Sequence, residues 1–154
     1  MPERLRLTQT GPLTLKQFAA FVARASDEEL AELMADSATR KPILDFLYEQ
    51  SVAMLRAEQP LDFDGEVIHW HVTGAPKGGC DSFQLLIEGG VALPSRCLTR
   101  LPRCSFETGP VELLRRVGGQ ATMMGLMSEG RAVVSGDLLF AARVEELFRR
   151  KTFG

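Results

Sequence analysis

The sequence predicts an α+β protein, and three observations predict it. Helix-capping signals with apolar residues at helical spacing fill the first third of the chain. Segments of alternating apolar and polar residues then follow one another, separated by glycine-rich turns. The chain closes with two Gly-bounded helices, a short strand and a terminal amphipathic helix.

Thr14 with Gln17 has the spacing of a capping box, and Phe18, Phe21, Val22 and Ala25 follow as one stripe. Ser26 with Glu29 repeats the box ahead of Leu30, Leu33 and Met34. Pro42 suits the first turn of a third helix, whose apolar residues run from Ile43 through Phe46, Leu47 and Tyr48 to Leu55. That helix is apolar on more than one side, which places it against something large. Gln59-Pro60 ends the helical part, so the chain divides into a helical segment, 1–60, packed on a domain of 61–154.

In Glu66–Val72, Ile68, Trp70 and Val72 share one face, and Val67, His69 and His71 the other. Ser82–Glu88 alternates likewise, with Phe83, Leu85 and Ile87 on one side, and Gly89-Gly90 permits a tight hairpin. Val91–Thr99 is a weaker strand that Pro94 confines to an edge or a bulge. Arg103–Thr108 places Cys104 and Phe106 together. Hairpin order implies mostly antiparallel pairing. Gly109-Pro110 opens a helix through Val117, a short helix runs from Ala121 to about Ser128, and Arg131–Ser135 is a last strand. Gly136-Asp137 turns the chain into a helix from Leu138 to Arg150.

Composition narrows the function. The chain has 154 residues, a formal charge of −2, 45% hydrophobic residues, one Trp and one Tyr. No basic stripe marks a nucleic-acid partner. Cys80, Cys97 and Cys104 form an odd set without C-x-x-C spacing, which points to reduced thiols rather than a disulfide framework or zinc site. A Cys97–Cys104 pair across a hairpin stays open. The start, Met1-Pro2-Glu3-Arg4, has no signal-peptide run, and no stretch approaches the roughly 20 apolar residues of a membrane span, so a soluble, cytoplasmic protein is expected.

Chemistry-bearing motifs are sparse. His69 and His71 share a strand face but lack a third ligand nearby, so a polar outer face is the preferred reading and no metal is expected. Gly125 and Gly130 have phosphate-loop spacing, but Arg131 and Ala132 replace the Lys and Ser/Thr that should follow. No nucleophile elbow or dinucleotide fingerprint appears. The anomaly is softness: Met123, Met124, Leu126 and Met127 lie within five residues, as core filler or as a ligand wall.

The order Gly119, Leu126-Met127-Ser128, Gly130-Arg131, Val134, Gly136-Asp137, then Leu139, Ala142, Val144, Leu147 and Phe148 resembles the sterol carrier protein type-two domain. The strong part spans Val111–Phe148, and Leu13–Leu55 is similar to the extra helices of bacterial single-domain relatives. An inserted Glu129 and a small Ala132 depart from the pattern; the latter would widen a cavity locally. The resemblance implies a curved five-stranded, mostly antiparallel sheet with helices on one face and an apolar tunnel between them. It implies a non-enzyme, without cofactor, that carries fatty acids, acyl chains, sterols or similar apolar molecules and does not insert stably into membranes.

Alternation and the resemblance together nominate Ile68, Trp70, Phe83, Leu85, Ile87, Phe106 and Val134 on the sheet. Met123, Met124, Met127, Leu139, Phe140 and Phe148 are nominated on the helical side. The alternative is a non-catalytic interaction module, accessory to a larger enzyme system. In it Phe46, Leu47 and Tyr48 plug the tunnel or form a homodimer surface.

Overall fold

The computed structural model describes residues 13–57 and 65–153. Both capping boxes form. Thr14 Oγ1 accepts from the Gln17 amide at 3.1 Å while Gln17 Oε1 accepts from the Thr14 amide at 2.9 Å, opening helix α1 (Leu15–Arg24). Ser26 and Glu29 do the same for α2 (Asp27–Ala35). Helix α3 runs Ser37–Ala57, so it starts earlier than Pro42 indicates. Asp36 Oδ1 accepts from the Ala38 amide at 3.0 Å and so supplies the start signal, leaving Pro42 as the sixth residue, where it removes one helical hydrogen bond. The expected stop at Gln59-Pro60, and the boundary beside it, lie outside the described residues.

Five strands follow in one sheet: β1 (Glu66–Val72), β2 (Asp81–Glu88), β3 (Val91–Ser95), β4 (Cys104–Thr108) and β5 (Ala132–Gly136), in the order β3-β2-β1-β4-β5. Three pairs are antiparallel. The β1–β4 pair is parallel, because the chain crosses from the β3 edge back to the far side of β1. Pro94 sits on the β3 edge opposite Leu85, where its missing amide costs no ladder bond. Helices α4 (Pro110–Val117) and α5 (Met123–Ser128) precede β5, and α6 (Leu138–Phe153) closes the fold.

Register builds the inner face of the sheet. Phe83, Trp70, Phe106 and Val134 lie opposite one another across β2, β1, β4 and β5. Trp70 stacks on Phe83 at 5.0 Å and on Phe106 at 5.6 Å, and meets the edge of Phe148 from α6 at 5.9 Å. Residues of all three N-terminal helices share one continuous core with this row.

The outer face differs from the expected polar surface. The predicted strand through Thr99 ends at Ser95, and the following segment folds over β1 and β2. Gln84 Oε1 accepts from the amides of Thr99 and Arg100, each at 3.1 Å, and Gln84 Nε2 donates to Thr99 Oγ1 at 3.0 Å. His69, bonded to Gln84 at 3.0 Å, is thereby buried, whereas His71 pairs separately with Ser82 at 2.7 Å. No group of three or more potential metal ligands gathers among the described residues. No described helix is long and apolar enough to cross a membrane.

Two arginines fasten the helices. Arg40, 2% exposed, places all five guanidinium donors. Nε binds Asp81 Oδ2 at 2.7 Å, Nη1 the carbonyls of Gly74 (3.0 Å) and Met34 (3.5 Å), and Nη2 those of Val72 (2.9 Å) and Thr73 (3.0 Å). It thereby joins α3 to the end of β1 and the start of β2. Arg115 of α4 binds the Val22 and Ala25 carbonyls at the end of α1, both at 2.9 Å, and Asp27 at the start of α2. At the other end of the sheet Gly136 adopts φ +88°, and an added Cβ would collide with the Arg103 carbonyl. Asp137 then caps α6 through the Phe140 amide at 3.0 Å, and this bond, with the Arg103 guanidinium beside it, holds its carboxyl below the ordinary range.

The three thiols are free: Cys80 and Cys97 are exposed, and Cys104 is buried in β4, so Cys97 and Cys104 do not pair. Burial pushes the Cys104 thiol up to about 12. Cys80 and Cys97 therefore react with a disulfide reagent at pH 8 in the native state, and the third thiol reacts only on unfolding, as a colorimetric titration with and without denaturant will read. Arg40→Ala strips donors from buried carbonyls and is expected to cost about 3 kcal/mol in urea denaturation.

Candidate functional site

A cavity of about 460 Å³ lies between the N-terminal helices, the inner sheet face and the C-terminal helices. The sheet contributes Trp70, Val72 and Phe83. Helix α3 supplies a full wall through Leu44, Leu47, Tyr48, Ser51 and Met54. The end of α4 and the turn after it add Leu113, Val117 and Gly118-Gly119, and α6 adds Phe148. Glycine at 118 is needed here, because a Cβ would lie 2.8 Å from Val22 Cγ1.

Of the thirteen residues nominated from sequence, Trp70, Phe83 and Phe148 line this cavity. Ile68, Leu85, Ile87, Phe106, Met123 and Phe140 are buried in the surrounding core and do not form its surface. Met124 and Val134 are half-buried against that core, and Met127 is half-buried on α5. Leu139 is 81% exposed, contrary to the expected cavity position. The reason is helical phase: Phe140, Ala141, Val144, Leu147 and Phe148 form the buried stripe of α6, and Leu139 precedes it on the solvent side. The methionines divide similarly, since capping by Thr122 starts α5 with Met123 and Leu126 inward. Ala132 is buried but lies away from the cavity, so its small size does not widen it.

The wall absent from the thirteen nominated residues is α3, whose Leu47 and Tyr48 the sequence offered only as a plug or a dimer surface. The signal was its apolarity on more than one side: one side meets the core, and the other meets the cavity. Phe46 packs on Phe18 at 5.7 Å instead of entering the hollow, while Leu47 and Tyr48 line it. The helix bounds the space and leaves it open.

Polar side chains also line the cavity: Tyr48, Gln50, Ser51, Arg116, Thr122, Glu145 and Arg149. Arg116 of α4 donates to Glu145 Oε2 through Nε (2.9 Å) and Nη2 (2.6 Å), and Glu145 Oε1 accepts from the Met123 amide at 3.0 Å. One carboxylate of α6 thus holds α4 and the first turn of α5 in place. Arg149 pairs with Glu146 at 2.8 Å. On the α3 side, Tyr48 is buried with its hydroxyl unbonded among the described residues, its ring under the Arg96 guanidinium at 3.9 Å. Burial raises the Tyr48 pKa, so the phenol stays neutral.

No family model matches the chain, and no curated protein matches it. Solved structures do. Sterol Carrier Protein 2 Like 2 from Aedes aegypti superimposes with a TM-score of 0.54 at 18% identity, covering 67% of this chain and 94% of that one. A palmitated form of the same Aedes aegypti protein gives 0.53 at 19% identity, with 65% and 88% covered. UbiJ-SCP2, a ubiquinone synthesis protein, gives 0.54 at 18% identity over 74% of this chain and 95% of that one. These likenesses establish the sterol carrier protein type-two fold: an open, mixed but mostly antiparallel five-stranded sheet with its helices.

Glu145→Ala would leave Arg116 without its partner in the cavity wall and free the Met123 amide. It is expected to destabilise the protein by about 2 kcal/mol in chemical denaturation.

Proposed function

We propose that this chain binds and carries an apolar small molecule in the cavity between α3 and the sheet. The observation that carries the reading is the cavity itself: leucine, valine and aromatic side chains line it from the helices and the sheet, Gln50, Ser51, Thr122, Arg116, Glu145 and Arg149 complete the lining, and the space stays open in a folded core. Its volume, about 460 Å³, falls within the range of small-molecule sites and admits a fatty acyl chain or a compact ring system. The driving force is desolvation, at about 0.8 kcal/mol per buried methylene. The palmitated state of the Aedes aegypti protein supports acyl chains as one ligand class for this fold.

The way the polar groups are used supports a reading of carriage without chemistry. Arg116 and Glu145 are bonded to each other, and the His69 and His71 rings lie on the opposite face of the sheet, each with its own partner. Delivery of the ligand to an enzyme system is the accessory variant of this role, and the likeness to UbiJ-SCP2 favours keeping it.

Trp70 is the only tryptophan of the chain and stands in the cavity wall, so its emission reports occupancy directly. Titration with a fluorescent fatty acid is expected to quench it by energy transfer and to saturate. Ser51 lines the cavity, and among the described residues its hydroxyl bonds only the Leu47 carbonyl of its own helix, at 2.9 Å. Ser51→Phe places a ring in the hollow and is expected to weaken binding at least roughly ten-fold while the far-UV circular dichroism is unchanged. A wild-type protein that gives no saturable signal would overturn the proposal.

A further inference from the structure

The charges in the cavity lining do not cancel. Arg116, Glu145 and Arg149 are its charged members, two cations against one anion. Glu145 has both oxygens filled: Oε2 accepts twice from Arg116, and Oε1 accepts from the Met123 amide. Arg149 has its ion-pair partner outside the lining, in Glu146, and that pair stands in water, with side chains 53% and 57% exposed. Such a surface pair is worth at most about 1 kcal/mol and yields readily to a competing anion. Arg149 spends Nε and Nη2 on Glu146, and Arg116 spends the same two nitrogens on Glu145. Among the described residues, Nη1 of each guanidinium donates to nothing.

These groups gather at one corner. Glu145 and Arg149 are one turn apart on α6, and Thr122 adjoins Met123, whose amide Glu145 holds. The corner is also the shallow end of the cavity. Gly119, Thr122 and Arg149 are exposed, whereas Leu44, Leu47, Trp70, Val72 and Val117 are buried. The lining therefore runs from a cationic mouth to an apolar floor. Gln50 lines the cavity from α3, half-buried, and its amide has no bonded partner among the described residues. An amide donor serves a carboxylate and an ester carbonyl alike, so Gln50 does not discriminate between them. A guanidinium does, because its hydrogen bonds to a charged oxygen are about twice as strong as those between neutral groups. A carboxylate at this mouth neutralises the surplus charge and keeps part of its hydration, which limits the cost of binding it.

We propose that this mouth is a head-group site for a carboxylate. The ligand is a single-headed amphiphile that sits with its apolar body inward, and Arg149, with Arg116 beside it, selects the free acid over its ester. This rests on the binding role proposed above and narrows its ligand class. Arg149 is the specificity-determining residue, because its present partner is the one that a ligand can displace without unpairing a buried charge.

The test displaces a neutral fluorophore, N-phenyl-1-naphthylamine, from the full chain at pH 8 with dodecanoic acid or with its methyl ester. Wild type is expected to bind the ionised acid at least roughly ten-fold more tightly than the ester. Arg149→Gln is expected to weaken the acid roughly five- to ten-fold and to leave the ester within about two-fold. Added salt is expected to weaken the acid and not the ester. Arg143→Gln removes the same charge from an exposed position of α6 outside the lining and is expected to change neither. Both variants should melt with wild type, since both positions are exposed. Four results would each overturn the head-group site and leave the apolar-binding role standing: equal or tighter binding of the ester by wild type, unchanged acid affinity in Arg149→Gln, an ester loss as large as the acid loss in that variant, or an equal acid loss in Arg143→Gln. If neither the fluorophore nor either ligand binds wild type, the apolar-binding role itself fails.

Discussion

The buried Arg40 guanidinium is the contact on which the cavity's architecture depends. A charge in the core is stabilising only when its hydrogen-bonding capacity is filled, and here five donors meet five acceptors. Three of those acceptors are consecutive carbonyls, Val72, Thr73 and Gly74, where β1 ends and its ladder can no longer satisfy them. The side chain therefore completes the strand end as much as it fastens the helix. It also sets where the first turns of α3 lie relative to the sheet, and the rest of the helix follows as a rigid rod along the cavity.

A rod held at that distance creates the hollow. Opposite it, the sheet presents a flat aromatic row, with Trp70 stacked between Phe83 and Phe106. Such rings are held by both cross-strand neighbours and cannot swing out to fill space. On the third side the Arg116–Glu145 pair ties α4 to α6, so that wall cannot collapse inward without unpairing a poorly exposed charge. The space persists because each wall is fastened by interactions that do not involve the space itself.

Much of this fold was legible in the chain, and the illegible parts share a cause. Capping boxes at Thr14 and Ser26, the Gly109-Pro110 start and the Gly136-Asp137 turn are local signals, and each marks an element that forms. Strand alternation placed Ile68, Trp70, Phe83, Leu85 and Phe106 in the core, because a strand has only two faces. The family resemblance supplied the five-stranded architecture. What sequence could not show is non-local. Nothing distinguishes Arg40 from Lys41 until Asp81 and three carbonyls from another element are brought beside it. The burial of His69 depends on Thr99 and Arg100 folding over Gln84. Leu139 was misplaced because one residue on a helix is about 100° of rotation, so a family position transfers a stripe only when its phase is known.

The same reasoning explains why the cavity's centre of gravity moved from the methionine cluster to α3. Methionine-rich composition identifies soft packing, and soft side chains fill gaps wherever gaps arise. They do not keep a gap open. Keeping one open requires rigid walls with their polar groups satisfied elsewhere, which is the condition met by α3 through Arg40, by the aromatic row, and by Glu145. Tyr48 in that wall is buried, with its hydroxyl unbonded among the described residues.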